Sequence, residues 1–120
     1  MPEITVKNHG SFEVPAGKRL VLALEDSGLD MLHRCGGHAR CTTCRVRILS
    51  GSPDKMTAAE RSRLMEEGIL GEARLSCQVP CEQDMTIELI WRLSTTDYES
   101  AGRRPENFIT PEPEWVPAPR

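Results

Sequence analysis

Aromatic side chains are scarce in this chain: two phenylalanines, two tryptophans and one tyrosine serve 120 residues. Tyr98, Phe108 and Trp115 fall beyond residue 93, which leaves the rest with Phe12, Trp91 and aliphatic residues to build a core. A small domain of that kind buries little apolar surface and gains from an added staple such as a metal. Long apolar runs are also missing. The longest, Leu20 to Leu24, is far too short to cross a bilayer, and the polar N-terminus carries no signal-peptide pattern. The expected compartment is the cytoplasm, where thiols stay reduced. A net charge of −3 gives no basic excess, so neither nucleic acid nor a membrane is an expected partner. No cysteine-histidine-acid set, carboxylate pair or phosphate loop stands clear of the cysteines, so a non-enzymatic role is expected.

What the chain does have is cysteine in a particular order. Cys35, Cys41 and Cys44 share one short stretch, and Cys77 and Cys81 lie far downstream. Thiolates are the ligands that iron-sulfur clusters, zinc and Cu(I) select. Gly36 and Gly37 carry no Cβ, so the chain there can bend tightly and bring backbone N–H groups close to whatever the sulfurs hold. An odd count of five cysteines, with no secretory signal, argues against a disulfide framework. Structural zinc is an alternative: Cys41-x2-Cys44 and Cys77-x3-Cys81 would supply four thiolates and leave Cys35 over. Against it, the Gly-Gly turn precedes the first pair and a strand pattern follows it, whereas a zinc knuckle usually carries its glycine just beyond the second cysteine. A Rieske centre needs two histidine ligands, and neither His33 nor His38 stands in a Cys-x-His pair.

The spacing Cys35-x5-Cys41-x2-Cys44 is one residue longer in its first interval than the plant-type [2Fe-2S] formula C-x4-C-x2-C, which also takes its fourth ligand from a distant cysteine. With Cys-Gly-Gly at its start, Cys-x-Thr-Cys-Arg-Val-Arg at its end and Leu75-Ser-Cys-Gln78 downstream, it resembles the adrenodoxin-like and related bacterial branch of the [2Fe-2S] ferredoxins, over roughly residues 4–90. The resemblance implies an α+β fold of the β-grasp (ubiquitin-like) type, a mixed sheet with one main helix and a short second one. It implies a [2Fe-2S] cluster held by Cys35, Cys41, Cys44 and Cys77, the first two on one iron and the last two on the other. It also implies a one-electron carrier working between a reductase and a redox enzyme. A redox-sensing regulatory module is the alternative use of the same cluster domain, since cluster loss would loosen a marginal core.

Along the chain, Ile4–Lys7 and Ser11–Val14 read as a hairpin about Asn8-His-Gly10. Lys18–Ser27 reads as a helix, with Leu20, Val21 and Leu24 on one face and Gly28 as its C-terminal cap. Cys44–Leu49 alternates as a half-buried strand should. Thr57-Ala-Ala-Glu60 has the form of a capping box and predicts a second helix to about Glu67, with Leu64 and Met65 turned inward. Arg74–Val79 and Met85–Ile90 read as further strands, and Cys81 as a small, semi-buried residue on the turn between them.

The reading divides the chain into a cluster domain, 1–93, and a Pro-rich extension, 94–120, in which five prolines deny helix or central-strand structure. Such tails are disordered by default. Phe108, Ile109 and Trp115 favour docking instead, on the chain's own domain or on a neighbouring copy, which makes a homo-oligomer contact through the tail an expectation. Between Leu32 and Ile48 there are four arginines and no acid, while acids gather from Glu60 to Glu72. Arg45 and Arg47 read as the solvated face of a strand. Arg40, inside the loop, predicts a neutral to basic contact region there.

Overall fold

A computed structural model describes residues 1–28, 44–51, 53–90, 109 and 113–118. Strands β1 (Glu3–Val6) and β2 (Gly10–Glu13) form the expected antiparallel hairpin, pairing Glu3 with Glu13 and Val6 with Gly10. Asn8 makes the turn at φ +69°, a left-handed conformation that asparagine tolerates better than most side chains. Alternation along β1 sends Ile4 and Val6 into the core and leaves Thr5 outside, where its hydroxyl meets that of Ser11 at 2.9 Å.

Helix α1 (Leu20–Asp26) is shorter than expected, because Arg19 is extended and bridges to Pro80 at its start and Ser27 caps its end. It is also more enclosed: Leu22 and Ala23 are buried along with Leu20, Val21 and Leu24. A helix apolar all round is a core element, and each large aliphatic side chain removed from water contributes about 1.5–3 kcal/mol. Gly28 follows at φ +96°, its N–H bonded to the Glu25 carbonyl, as a helix stop requires.

Strand β3 (Arg45–Ser50) is followed by the short β4 (Lys55–Thr57), helix α2 (Ala58–Glu66), β5 (Arg74–Leu75) and β6 (Met85–Leu89). The main sheet has the order β2-β1-β6-β3-β5, with β1 and β6 parallel and the other pairs antiparallel. Hairpin, main helix, strand, second helix and closing strands around one mixed sheet make the α+β β-grasp arrangement that the resemblance implies. Ile4, Val6, Val46, Leu75 and Ile87 from the sheet join the α1 side chains in a single core.

Three expectations need correction. Met65 is 54% exposed while Leu64 is completely buried, because neighbours on a helix point about 100° apart and α2 has only a narrow apolar stripe. The capping box is half made: Thr57 Oγ1 accepts the Glu60 N–H at 3.1 Å, but the Glu60 carboxylate turns away to Arg74 and the Leu75 N–H. Burial of Glu60 also removes it from any exposed acidic patch. Finally, Arg74–Val79 is not one strand. Only Arg74 and Leu75 pair with β3, and Ser76–Gln78 form a 3-10 turn.

In the tail, β7 (Trp115–Pro117) pairs antiparallel with β4, Met56 facing Val116 and Thr57 facing Trp115. This small ribbon is separate from the main sheet, so the prolines never have to supply a central ladder. The contact is made on the chain's own fold. Val116 and Ala118 pack against the core, whereas Trp115 stays 43% exposed. Phe108 and Trp91 lie outside the described residues. Among those residues, no helix is long and apolar enough to cross a membrane.

Candidate metal centre

Of the four expected ligands, Cys44 and Cys77 are described; Cys35 and Cys41 lie outside the described residues, as do Arg40 and both loop histidines. Cys44 immediately precedes β3. Pairing of Arg45 with Leu75 sets Cys44 opposite Ser76, one residue before Cys77. The Cys44 carbonyl accepts twice from Ser76, from its N–H at 3.1 Å and from its hydroxyl at 2.7 Å. A side chain that bonds backbone in this way competes with the ladder, which explains why the strand ends at Leu75 and turns. The turn matters because Cys77, one residue past the one that faces Cys44, sits in it and not on a continuing pleat. Both are buried, at 2% and 0% exposure.

A second frame holds the far side of Cys77. The Leu20 N–H bonds the Val79 carbonyl at 2.7 Å, Arg19 and Pro80 form a β-bridge, and Cys81 and Lys18 join through N–H to carbonyl at 2.8 Å. Arg19 is wholly buried, and its Nε donates to the Cys77 carbonyl at 2.8 Å. A third group reaches the sulfur itself: Gln78 Nε2 stands 3.6 Å from Cys77 Sγ. Glu60 and Arg74 clamp the approach to the turn, with Glu60 Oε2 also accepting from the Leu75 N–H at 2.8 Å. Sequence reasoning assigned none of these supporting roles. The Thr57-x-x-Glu60 spacing was the nearest signal, and it pointed Glu60 to the wrong partner.

Cys81 is buried completely, more than expected of a turn residue, because its backbone is laced to Gly17 and Lys18. Burial pushes its thiol up to about 12, against a smaller opposing pull from Lys18, so it stays protonated at neutral pH. The zinc alternative would place Cys44, Cys77 and Cys81 at three corners of one site. Among the described residues no three histidine, cysteine or acidic side chains converge as a metal-holding group.

A [2Fe-2S] cluster with four thiolates carries a net charge of about −2 oxidised and about −3 reduced, so it needs soft anionic ligands and surrounding hydrogen-bond donors. The described residues supply part of that chemistry: buried Cys44 and Cys77, an amide donor at the Cys77 sulfur and a guanidinium at the Cys77 carbonyl.

Comparison with known proteins agrees. Residues 4–82 match the 2Fe-2S iron-sulfur cluster binding domain family. The chain is 35% identical over 89 residues to a component of the Na(+)-translocating NADH-quinone reductase of Marinomonas sp. (strain MWYL1), an alignment covering 72% of this chain and 22% of that protein. It therefore spans about a fifth of the length of the curated relatives it matches. Among solved structures, the ISC-like [2Fe-2S] ferredoxin from Pseudomonas putida JCM 20004 superposes with a TM-score of 0.64 at 29% identity, covering 75% of this chain and 93% of that one. A chain of the covalent putidaredoxin reductase-putidaredoxin complex superposes with a TM-score of 0.59 at 25% identity, covering 72% and 96%. The fold, the buried cysteine pair and these matches together place the chain in the 2Fe-2S iron-sulfur cluster binding domain family, as a ferredoxin-type domain that holds a [2Fe-2S] cluster.

Proposed function

We propose that this domain is a one-electron carrier shuttling between a reductase and a redox enzyme in the cytoplasm, with Cys35, Cys41, Cys44 and Cys77 as the cluster ligands. In this reading Cys35 and Cys41 share one iron and Cys44 and Cys77 the other. Residues 1–93 form the cluster domain and 94–120 an extension. The observation that carries the reading is that buried Cys44 stands opposite Ser76, one residue before buried Cys77, whose sulfur has the Gln78 amide as a donor. The bound cluster supplies a one-electron couple. The chain's own part is to exclude water from the Cys44 and Cys77 side and to hold both sulfurs in a fixed frame, so that little rearrangement accompanies a change of charge. The similarity to a component of an NADH-quinone reductase and to a putidaredoxin complex supports a reductase as one partner.

The test is anaerobic purification followed by metal and sulfide analysis and a reductive titration. About two irons and two sulfides per chain, with one-electron reduction, are expected. Serine at Cys35, Cys41, Cys44 or Cys77 should abolish or badly disturb the visible spectrum, while Cys81→Ser leaves it intact. A colourless protein with one zinc per chain, or a spectrum lost with Cys81→Ser and kept with Cys35→Ser, overturns the assignment.

A further inference from the structure

The side chain of Thr57 stands at the junction of two hydrogen bonds that no cluster motif requires. Its Oγ1 accepts the Glu60 N–H at 3.1 Å and donates to Gln78 Oε1 at 2.8 Å. Thr57 and Gln78 are 1% and 0% exposed, so water does not compete. A hydroxyl has a single proton, and here it goes to Gln78. That donation fixes which end of the Gln78 amide is the oxygen and leaves the Nε2 end against Cys77 Sγ at 3.6 Å. The opposite rotamer would set a carbonyl oxygen against a thiolate, two acceptors in a buried site, which is strongly disfavoured.

On this basis, and resting on the reading that Cys77 is a cluster ligand, we propose that Thr57 is a positioning residue that sets the cluster's reduction potential through the Gln78 amide. A donor at a ligand sulfur favours the more negative state, and it does so more in a dry site than in water. Thr57 lies opposite Trp115 in the tail ribbon and opens α2, so its backbone is tied from both sides and its hydroxyl has a fixed origin.

The test uses the full-length, cluster-loaded protein and reads the midpoint potential together with the electron paramagnetic resonance spectrum of the reduced form. Gln78→Met keeps the length of the side chain and removes the donor. It should make reduction about tenfold less favourable, read in a one-electron titration as a shift of about 59 mV to more negative potential. Thr57→Val, which keeps the shape, should shift it in the same direction by less, and Thr57→Ser should restore the wild-type value. Because Thr57 acts through Gln78, the double variant Thr57→Val/Gln78→Met should match Gln78→Met alone. An unmoved potential in loaded Gln78→Met, or additive shifts in the double variant, overturns the proposal. If Gln78→Met fails to load, Thr57→Val against Thr57→Ser decides: equal potentials overturn it, and a negative shift confined to valine supports it. Cys77→Ser is the control for the underlying reading. An undisturbed spectrum there shows that Cys77 is no ligand, a failure distinct from a potential indifferent to Thr57 and Gln78.

Discussion

Glu60 and Arg74 meet as a bidentate pair out of water, Arg74 Nε donating to Glu60 Oε2 at 2.8 Å and Nη2 to Oε1 at 3.1 Å. Their side chains are 0% and 8% exposed. The pair joins the first turn of α2 to β5, and Arg74 also reaches the Lys55 carbonyl at 3.1 Å, so one guanidinium ties three neighbouring segments just before Cys77. Removing one partner strands the other charge in a dry site.

Glu60→Gln is therefore expected to cost about 3–5 kcal/mol, the usual penalty for breaking a buried pair from one side. Replacing both partners with apolar residues, as in Glu60→Leu/Arg74→Met, should recover part of that loss, because no charge is left unpaired. Urea unfolding followed by far-ultraviolet circular dichroism checks both. A double variant no more stable than Glu60→Gln would show that the bonds to Leu75 and Lys55 carry most of the effect.

Cys81 gives a pH-dependent prediction. Its thiol is raised by burial to about 12 in the folded chain, against an ordinary value of 9.0. A raised thiol stabilises the fold fully below the unfolded value. Above it the unfolded chain loses its proton first, so stability falls from about pH 9 towards 12. Cys81→Ala lacks this linkage and should show a shallower loss of stability between about pH 9 and 11. Thiol reagents should leave Cys81 unmodified in the folded protein at neutral pH and label it on unfolding. Equal pH slopes for the two proteins would count against a protonated, buried thiol.

The hairpin, the main helix with its Gly28 stop and the strand after Cys44 were legible because each rests on local periodicity and turn chemistry. The resemblance carried the fold and the cluster further than periodicity could. What stayed hidden was non-local. Nothing in Lys18-Arg19-Leu20 says that an arginine will be buried against the Cys77 carbonyl, and Glu60 and Arg74 are far apart in sequence. The strand expected over Arg74–Val79 failed at Ser76, whose hydroxyl takes the Cys44 carbonyl once the fold brings them together. Leu64 and Met65 show the limit of reading a short helix: both are apolar, and only the packing decides which one is covered.

Gly51 closes β3 at φ +78°, and a Cβ there would collide with the Asp84 carbonyl oxygen. The close approach joins the end of β3 to the start of β6, where Gln83 Nε2 also donates to the Gly51 carbonyl. Gly51→Ala should cost about 1–3 kcal/mol for the left-handed conformation alone, with the collision added to it. The expected result is a lower unfolding midpoint with the cluster spectrum still present, since Gly51 lies at the opposite end of β3 from Cys44. An unchanged midpoint would mean that the chain relaxes there without penalty.

The tail ribbon can be tested at its inward residue. Val116 faces the fully buried Met56 and packs against the core, and the ribbon is bracketed by bonds from the Ala58 N–H to the Glu114 carbonyl at 2.7 Å and from the Ala118 N–H to the Asp54 carbonyl at 2.8 Å. Val116→Asp puts a charge where an apolar side chain belongs, and a loss of about 1–3 kcal/mol is expected, with β7 released from β4. Trp115→Ala is the contrast, because Trp115 is 43% exposed and contributes less to the core. Limited trypsin digestion after Arg103 reads the release directly: cleavage that strips the tail should be much faster in Val116→Asp than in Trp115→Ala or the parent chain. Equal rates in all three would show that the ribbon does not hold the tail against the fold.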